Sequence, residues 1–180
     1  MKYILKLSLT LLLITGLVAA ALAGVNAVTK DRIAAVQEEK INAAIGALFP
    51  DSASVRRLAE GEYRDETGTV TAVYAAQGGW AIEVRPSGFG GEITLMVGVS
   101  SLSEVTGVQV ISHAETPGLG AVAADKTAAG EDFRNSFVGH SGTLTVGDID
   151  ALTGATITSQ AVVDGVNTAL ACEIQKEAGQ

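Results

Sequence analysis

The sequence is poor in cysteine and has no excess of basic charge. Its single cysteine, Cys172, excludes an internal disulfide and a cysteine-rich metal or iron–sulfur site. No cysteine stands directly after the apolar N-terminal run, which excludes a lipoprotein signal. The chain carries 12 basic and 20 acidic residues, for a net charge of −8. A surface that acidic argues against nucleic acid as a partner.

Charge is missing altogether between Lys6 and Lys30. The stretch Leu7–Val28 gives 22 uncharged residues. A helix that rises ~1.5 Å per residue can cross a hydrocarbon core of ~30 Å with that length. Lys2 and Lys6 favour an N-terminus on the inside, although Lys30 and Arg32 weaken the asymmetry. The sequence therefore predicts a transmembrane anchor over residues 1–28.

A cleaved signal peptide is the alternative for the same segment. Lys2 and Lys6 would be its charged start, Leu7–Leu17 its apolar core, and Ala21-Leu22-Ala23 its cleavage site. We favour the retained anchor because the uncharged stretch continues beyond Ala23. Both interpretations export the rest of the chain.

The chain after the anchor is long enough for one domain. Residues 29–66 are predicted to be a helical linker followed by an irregular segment. The helical period runs through Lys30–Leu48 and ends at Phe49-Pro50, and Asp51–Glu66 is polar without a clear period. The folded domain is placed at residues 67–180.

The first half of this domain has the pattern of short strands. Apolar and polar residues alternate in Ala81–Arg85 and Val105–Ile111, which is typical of strands with one covered face. Clusters of glycine and serine mark the turns. The predicted strands are Thr69–Ala76, Gly79–Arg85, Glu92–Val99 and Val105–Ser112.

After His113 the pattern becomes mainly helical. We therefore predict an α+β fold, in which an N-terminal transmembrane helix is followed by a mainly antiparallel sheet packed with helices. The predicted elements are short helices at Ala121–Ala129 and Asp132–Phe137, a last strand at Thr143–Val146 and a long helix at Thr156–Glu177.

A hydroxyl-rich turn, Asp150–Ser159, leads into the long helix and is the most informative segment. Thr153 and Thr156 supply hydroxyl groups, while Gly154 and Ala155 let a bulky anion approach the backbone. The free N–H groups and the positive dipole at a helix start favour a phosphate there. An ordinary helix N-cap uses the same residue types, so local chemistry alone leaves both interpretations open.

The heptad from Asp150 to Thr156 resembles the flavinylation motif of the FMN-binding domain family. That motif reads Asp, two free positions, Ser or Thr, Gly, Ala, and then Thr or Ser. In the family, a flavin transferase moves FMN from FAD onto the last hydroxyl residue and forms a phosphoester. The resemblance implies that Thr156 carries covalent FMN, with Asp150, Thr153, Gly154 and Ala155 as the recognition residues around it.

A second segment, His113–Gly120, resembles a His-x-Glu-Thr-Pro-Gly-Leu-Gly loop of the G subunit of Rnf electron-transport complexes. The related C subunit of the sodium-pumping NADH:quinone reductase has a similar loop. Pro117-Gly118 favours a tight turn of type II, and Leu119 can then offer an apolar face to a ring. No third catalytic group accompanies His113 and Glu115, so hydrolysis is not predicted. The implied cofactor contacts from this loop are Glu115, Thr116, Gly118 and Leu119.

The glycine-rich stretch Pro86–Gly91 and the strand after it resemble the family's hairpin, again in the expected order. A flexible β-turn would explain the stretch equally well. Gly88 and Phe89 are implied cofactor contacts. Trp80 joins Phe89 as a candidate to stack on the flavin ring, although buried aromatic residues usually belong to the core.

The resemblance implies an electron-relay subunit with covalent FMN in a membrane oxidoreductase of the Rnf type, which couples ferredoxin–NAD redox chemistry to ion translocation. It implies the other membrane subunits as partners and a flavin transferase for maturation. The expected location is the cell (inner) membrane, single-pass, with the FMN domain on the extracytoplasmic side. The compact size and the residues of His113–Gly120 favour the Rnf protein over the reductase's C subunit. The alternatives are a protein like that C subunit, or an exported binding or structural protein without flavin.

Overall fold

The structure, a computed structural model, describes residues 2–175. Met1 and residues 176–180 lie outside it, and with them the last residues of the predicted domain 67–180 and of the predicted helix Thr156–Glu177. The chain divides into two compact units, Met1–Lys40 and Ile41–Gln180. The segment boundaries after residues 28 and 66 stay predictions.

One long helix, α1 (Lys2–Leu48), makes up the first unit and ends in the second. Its 18-residue apolar window has a mean hydropathy of 2.2, and none of it is buried in the protein. Thr10, Thr15 and Thr29 donate their hydroxyl hydrogens to carbonyls four residues earlier, at 2.8, 2.9 and 2.9 Å. A hydrocarbon core has no water to satisfy such groups. By length and composition, α1 can therefore cross a membrane.

The second unit is built on a five-stranded sheet in the order β1-β3-β4-β5-β6, with every pair antiparallel. Two further strands, β2 and β7, pair with each other. The predicted α+β class is confirmed, and the four predicted strands are present with ends shifted by two residues or fewer. The strands are β1 Arg56–Arg57, β2 Tyr63–Arg64, β3 Val70–Ala76, β4 Gly79–Val84, β5 Thr94–Ser100, β6 Val105–Ser112 and β7 Glu173–Ile174.

Both faces of the central strands are covered, whereas the sequence predicted one covered face. Every residue of β5 except Ser100 is buried. In β4, Ile82 and Val84 face one hydrophobic cluster and Ala81 faces a second cluster on the other side. The alternation in the sequence of β4 reflects a difference between its two faces: the second face carries small or charged residues. On that face Glu83 pairs with Arg85 at 3.0 Å.

The first cluster is covered by two helices, α2 (Ala128–Asn135) and α3 (Thr156–Ala171). The predicted helix Thr156–Glu177 is too long, because Glu173–Ile174 instead pair with β2 as strand β7. From α3, Val162, Val163 and Val166 are fully buried. From α2 and the turn after it, the rings of Phe133 and Phe137 pack edge to face with centroids 5.4 Å apart. The predicted helix Ala121–Ala129 is a short 3-10 helix, Gly120–Ala124, and the predicted Asp132–Phe137 helix starts and ends earlier as α2.

The predicted strand Thr143–Val146 is wrong. Leu144 is buried, but its N–H and carbonyl bond to the side-chain amide of Asn167 on α3, both at 2.8 Å. An amide side chain thus takes the place of a neighbouring strand. Thr145 and Asp148 then form a capping box around a 3-10 turn. Hydrogen bonds from the side chain and backbone of Thr145 hold the pKa of Asp148 below its ordinary value.

The second cluster is covered by the end of α1. Ala44, Ile45 and Leu48 pack there with Met96 on the sheet. Leu48 lies over a pair of glycines that face each other in register, Gly98 on β5 and Gly107 on β6. A Cβ atom on Gly107 would lie 2.7 Å from Leu48 Cδ2, so the leucine packs this closely because position 107 has no side chain.

Candidate functional site

A cleft of about 350 Å³ lies where the glycine-rich hairpin, the loop His113–Gly120 and the start of α3 meet. The three segments singled out in the sequence are therefore brought together in space. The sheet positions the hairpin and the loop, because they directly precede β5 and follow β6. The cleft is lined by Phe89, Glu115, Thr116, Leu119, Gly120, Gly154, Ala155, Thr156, Ile157 and Thr158.

The loop turns sharply at Pro117-Gly118. The Leu119 N–H donates to the Thr116 carbonyl at 3.2 Å, and Gly118 has a φ of +75°. A positive φ at the third position of a hydrogen-bonded four-residue turn is the mark of type II, as the sequence predicted. The turn places Leu119 on the wall of the cleft, while Gly118 itself does not line it.

The heptad contains a second turn of the same kind, Leu152–Ala155. The Ala155 N–H donates to the Leu152 carbonyl at 3.1 Å, and Gly154 has a φ of +76°. Ser159, fully buried on α3, holds this turn from inside. Its hydroxyl accepts from the Leu152 N–H at 3.0 Å and donates to the Ala155 carbonyl at 3.1 Å.

The start of α3 presents donors that the protein does not use. Among residues 2–175, the backbone N–H groups of Thr156, Ile157 and Thr158 have no protein acceptor, and the N-cap residue Ala155 makes no side-chain cap. The first helical bond belongs to Ser159, which donates to the Ala155 carbonyl at 2.9 Å. Unpaired N–H groups and the positive end of a helix dipole suit an anion, above all a phosphate.

Three apolar side chains stand open to solvent around this helix start. Phe89, Leu119 and Ile157 are 69, 46 and 56% exposed, and all three line the cleft. Exposed apolar side chains grouped in a cleft indicate a binding site. Trp80 does not belong to this group: it lines a separate cavity beside Cys172, so its proposed stacking on a ring in the cleft is wrong.

Glu115 is the one buried charged residue of the cleft, with 6% of its surface exposed. Its Oε1 accepts the Gly90 N–H at 2.8 Å, and its Oε2 accepts the hydroxyl hydrogen of Thr158. Its own N–H donates to His113 Nδ1 at 3.2 Å. Gly88 does not line the cleft but packs against this carboxylate.

Asp150 and Thr153 line a second cavity of about 400 Å³ and not the cleft that Thr156 lines. Leu119 lines both cavities. The described residues that line the two cavities include no lysine or arginine. Binding of an anion here would therefore depend on backbone N–H groups and not on a positive side chain.

Two residues of the site were not predicted from the sequence. Thr158 and Ser159 are buried polar residues on a helix face that is otherwise apolar. Two hydroxyl residues at the start of a buried helix face are the signal that could have indicated them, because buried polar groups require partners. Their partners, Glu115 and the turn Leu152–Ala155, come from distant or irregular parts of the chain.

The observed features fit a phosphate monoester that carries a planar apolar group. Thr156 is exposed in the cleft at the first position of α3, next to the unused N–H groups. Phe89, Leu119 and Ile157 offer apolar contacts beside it. A cleft of this volume lies within the usual range for small-molecule sites of about 300–1,000 Å³.

Comparison with known proteins agrees with this geometry. Residues 88–171 match the model of an FMN-binding domain, which includes all three walls of the cleft, and residues 1–48 match the N-terminal region of RnfG. A relative from Methanosarcina acetivorans, the G subunit of an ion-translocating oxidoreductase complex, is 33% identical over 94% of both chains. The chain belongs to the RnfG family. The match to the FMN-binding domain supports FMN as the ligand of the cleft.

Other members of the RnfG family differ in the ion that their names give. The G subunit of the Na(+)-translocating ferredoxin:NAD(+) oxidoreductase complex of Acetobacterium woodii is 31% identical over 94% of this chain and 91% of its own. A proton-translocating counterpart from Clostridium ljungdahlii is 39% identical over 54% of this chain and 57% of its own. Membership of the family thus supports the Rnf-type interpretation and a single-pass membrane protein, without deciding the ion.

Proposed function

We propose that the chain carries one FMN, joined through its phosphate to Thr156, and relays electrons in a membrane complex that couples ferredoxin–NAD redox chemistry to ion translocation. One observation carries the attachment site: Thr156 is exposed in the apolar cleft at a helix start with three unused N–H groups. Of the hydroxyl residues nearby, Thr158 and Ser159 are buried and hydrogen-bonded. Thr153 faces the second cavity.

Attachment requires FAD and a flavin transferase. Thr156 Oγ would form a bond to the phosphorus of the FMN half of FAD, the bond to the AMP phosphate would break, and AMP and the hydroxyl proton would leave. No electron moves in this step. The N–H groups of Thr156, Ile157 and Thr158 would hold the phosphate oxygens, as helix starts do in other phosphate sites.

The bound flavin supplies the redox chemistry, and the protein orients it and tunes its potential. Leu119, Phe89 and Ile157 would cover part of its ring and exclude water. A tether through the phosphate keeps the cofactor in place through many turnovers. The chain is in this view a relay, and its electron donor and acceptor are other subunits of the complex.

The orientation of the anchor belongs to the same proposal. Lys2 and Lys6 ahead of an uncharged helix favour an N-terminus inside and an FMN domain on the extracytoplasmic side. The proposal also includes that the anchor is not cleaved. N-terminal sequencing of membrane-extracted protein should therefore recover Met1 or Lys2. A mature start at Gly24 would support the cleaved signal instead.

The attachment is tested by mass. Protein made with a flavin transferase and FAD should gain the mass of FMN minus one water, on a peptide that contains Thr156. Thr156→Ala should abolish the gain, and Thr156→Ser should keep it because the hydroxyl remains. An adduct on Thr153, Thr158 or Ser159 with Thr156 unmodified would refute the assignment. A chain that never gains the mass would be the exported protein without flavin.

A further inference from the structure

We propose that Glu115 is a positioning residue that clasps the three walls of the cleft together and does not itself contact the flavin ring. This role rests on the proposed function and deepens it. It replaces the polar ring contact that the loop resemblance implied for this residue. The clasp consists of the hydrogen bonds of the Glu115 carboxylate to Gly90 and Thr158.

Both carboxylate oxygens are already used by the protein. Oε1 accepts the N–H of Gly90 on the hairpin at 2.8 Å, and Oε2 accepts the hydroxyl hydrogen of Thr158 on α3. Glu115 belongs to the loop, so one side chain joins all three segments. With 6% exposure it has little surface left for a ligand. Hydrogen bonds to a charged group are also stronger than neutral ones.

Two glycines make room for this carboxylate. A Cβ atom on Gly88 would lie 2.5 Å from Glu115 Oε1. A Cβ atom on Gly120 would overlap both Glu115 Oε2 and Thr158 Oγ1. Neither glycine has a positive φ, so neither is required by its backbone conformation. At Gly120 the space for a side chain is taken by the clasp, and at Gly88 it is taken by the clasp together with Ile93, whose Cδ1 would lie 2.7 Å from such a Cβ.

The carboxylate makes no ion pair with the described lysine and arginine residues. Its favourable partner is the start of α3, since Thr158 is the third residue of that helix and an anion is stabilised near a helix N-terminus. The same first turn presents the unused N–H groups to the cleft. The clasp thus fixes the helix start against the loop that carries Leu119.

The contact is tested first in protein without flavin. In Glu115→Ala, the amide hydrogen of Gly90 should exchange with solvent about tenfold faster or more, as expected when a hydrogen bond to a charged group is lost. In Thr158→Val it should also exchange faster than in the parent, by a smaller factor, because the carboxylate loses its bond to α3. Thr158→Val does not alter Glu115, and valine has nearly the shape of threonine. This variant therefore remains informative if Glu115→Ala does not fold. Unchanged exchange at Gly90 in both variants would refute the clasp.

Loaded protein tests the positioning role. Glu115→Ala should still gain the FMN mass at Thr156 but shift the flavin absorption spectrum and midpoint potential. Glu115→Gln should bring both values back towards those of the parent, because its amide can accept from Gly90 and donate to Thr158, and only the effect of the lost charge should remain. The matched control is Glu83→Ala, which removes a carboxylate of similar burial, 4% exposed, that lines neither the cleft nor the cavities beside the heptad and Cys172.

Two results would overturn the proposal. A parental spectrum and potential in loaded Glu115→Ala, with only stability reduced, would make Glu115 a structural residue. Equal effects of Glu115→Gln and Glu115→Ala would mean that charge matters and the clasp does not. If the parent itself never gains FMN, the proposed function fails, and the exchange of the Gly90 amide still decides whether the clasp exists.

Discussion

Leu119 lies against Gly154: a Cβ atom on Gly154 would be 3.4 Å from Leu119 Cδ2. The two residues belong to two turns of the same type, one in the loop and one in the heptad. This contact joins the apolar wall of the cleft to the segment that carries Thr156. It links the residue that would cover the flavin to the residue that would hold it.

Leu119→Ala should leave attachment intact and change the flavin. The side chain is 46% exposed, so stability should fall only slightly, whereas the ring would lose apolar cover. A difference of about 1.4 kcal/mol between the oxidised and reduced forms corresponds to about 30 mV for a two-electron couple. Redox titration of loaded Leu119→Ala measures the shift in midpoint potential. The control is Leu102→Ala, which shortens a leucine that is 78% exposed on the turn between β5 and β6. Unchanged potentials in Leu119→Ala would assign the loop to the fold or to another protein of the complex.

Ser159→Ala should reduce both stability and loading. It leaves the buried Leu152 N–H without its acceptor, which costs about 1–3 kcal/mol of unfolding free energy. The turn Leu152–Ala155 would also loosen next to Thr156. Chemical unfolding and the fraction of flavin-loaded mass measure the two effects. Ser136→Ala is the control, because its hydroxyl only donates to the Phe133 carbonyl at a helix end; equal losses in both variants would contradict the prediction.

The sequence indicated the parts of the site but not the bonds between them. Strands β3 to β6 follow from alternation, and the turn at Pro117-Gly118 from residue types that fix its dihedral angles. The Glu115–Thr158 bond joins residues 43 positions apart, and no local pattern encodes such a pair. At Leu144 the sequence predicted a strand that the structure does not contain. The segment has the composition of a strand, but the side chain of Asn167 supplies the hydrogen bonds that a neighbouring strand would supply.

Gly107→Ala should destabilise the second unit, because the new methyl group would lie 2.7 Å from Leu48 Cδ2 and the leucine side chain would have to shift within a buried cluster. Overpacking of this kind typically costs about 1–3 kcal/mol. Leu48→Ala in the same chain should recover part of the loss. Gly46→Ala on α1 is the control: its Cβ would meet nothing within 4 Å, so we expect stabilisation of about 0.5–1 kcal/mol. Additive effects of Gly107→Ala and Leu48→Ala in thermal unfolding would show that the two residues do not conflict.

Cys172 should resist alkylation in the folded protein. Burial, and then the negative charge of Asp65, raise the pKa of its thiol from 9.0 to about 11. The thiol is therefore neutral in the fold at about pH 8, and its ionisation favours the unfolded chain as pH rises from 9.0 to about 11, where stability is lost. Iodoacetamide should label native protein at about pH 8 much more slowly than urea-unfolded protein, because only the thiolate reacts. Equal labelling rates would mean that the thiol is exposed and ionises normally.

The glycine pair beneath Leu48 also bears on the register of the strands. Gly98 and Gly107 face each other only in the native register of β5 and β6. A slip by one residue would turn every side chain of one strand to the opposite face. A slip by two in one direction would place Gln109 opposite Gly98, where the pair of glycines that Leu48 covers would no longer exist. The packing of Leu48 on the sheet is therefore specific to the native register, so the contact stabilises the correct strand pairing over a shifted one.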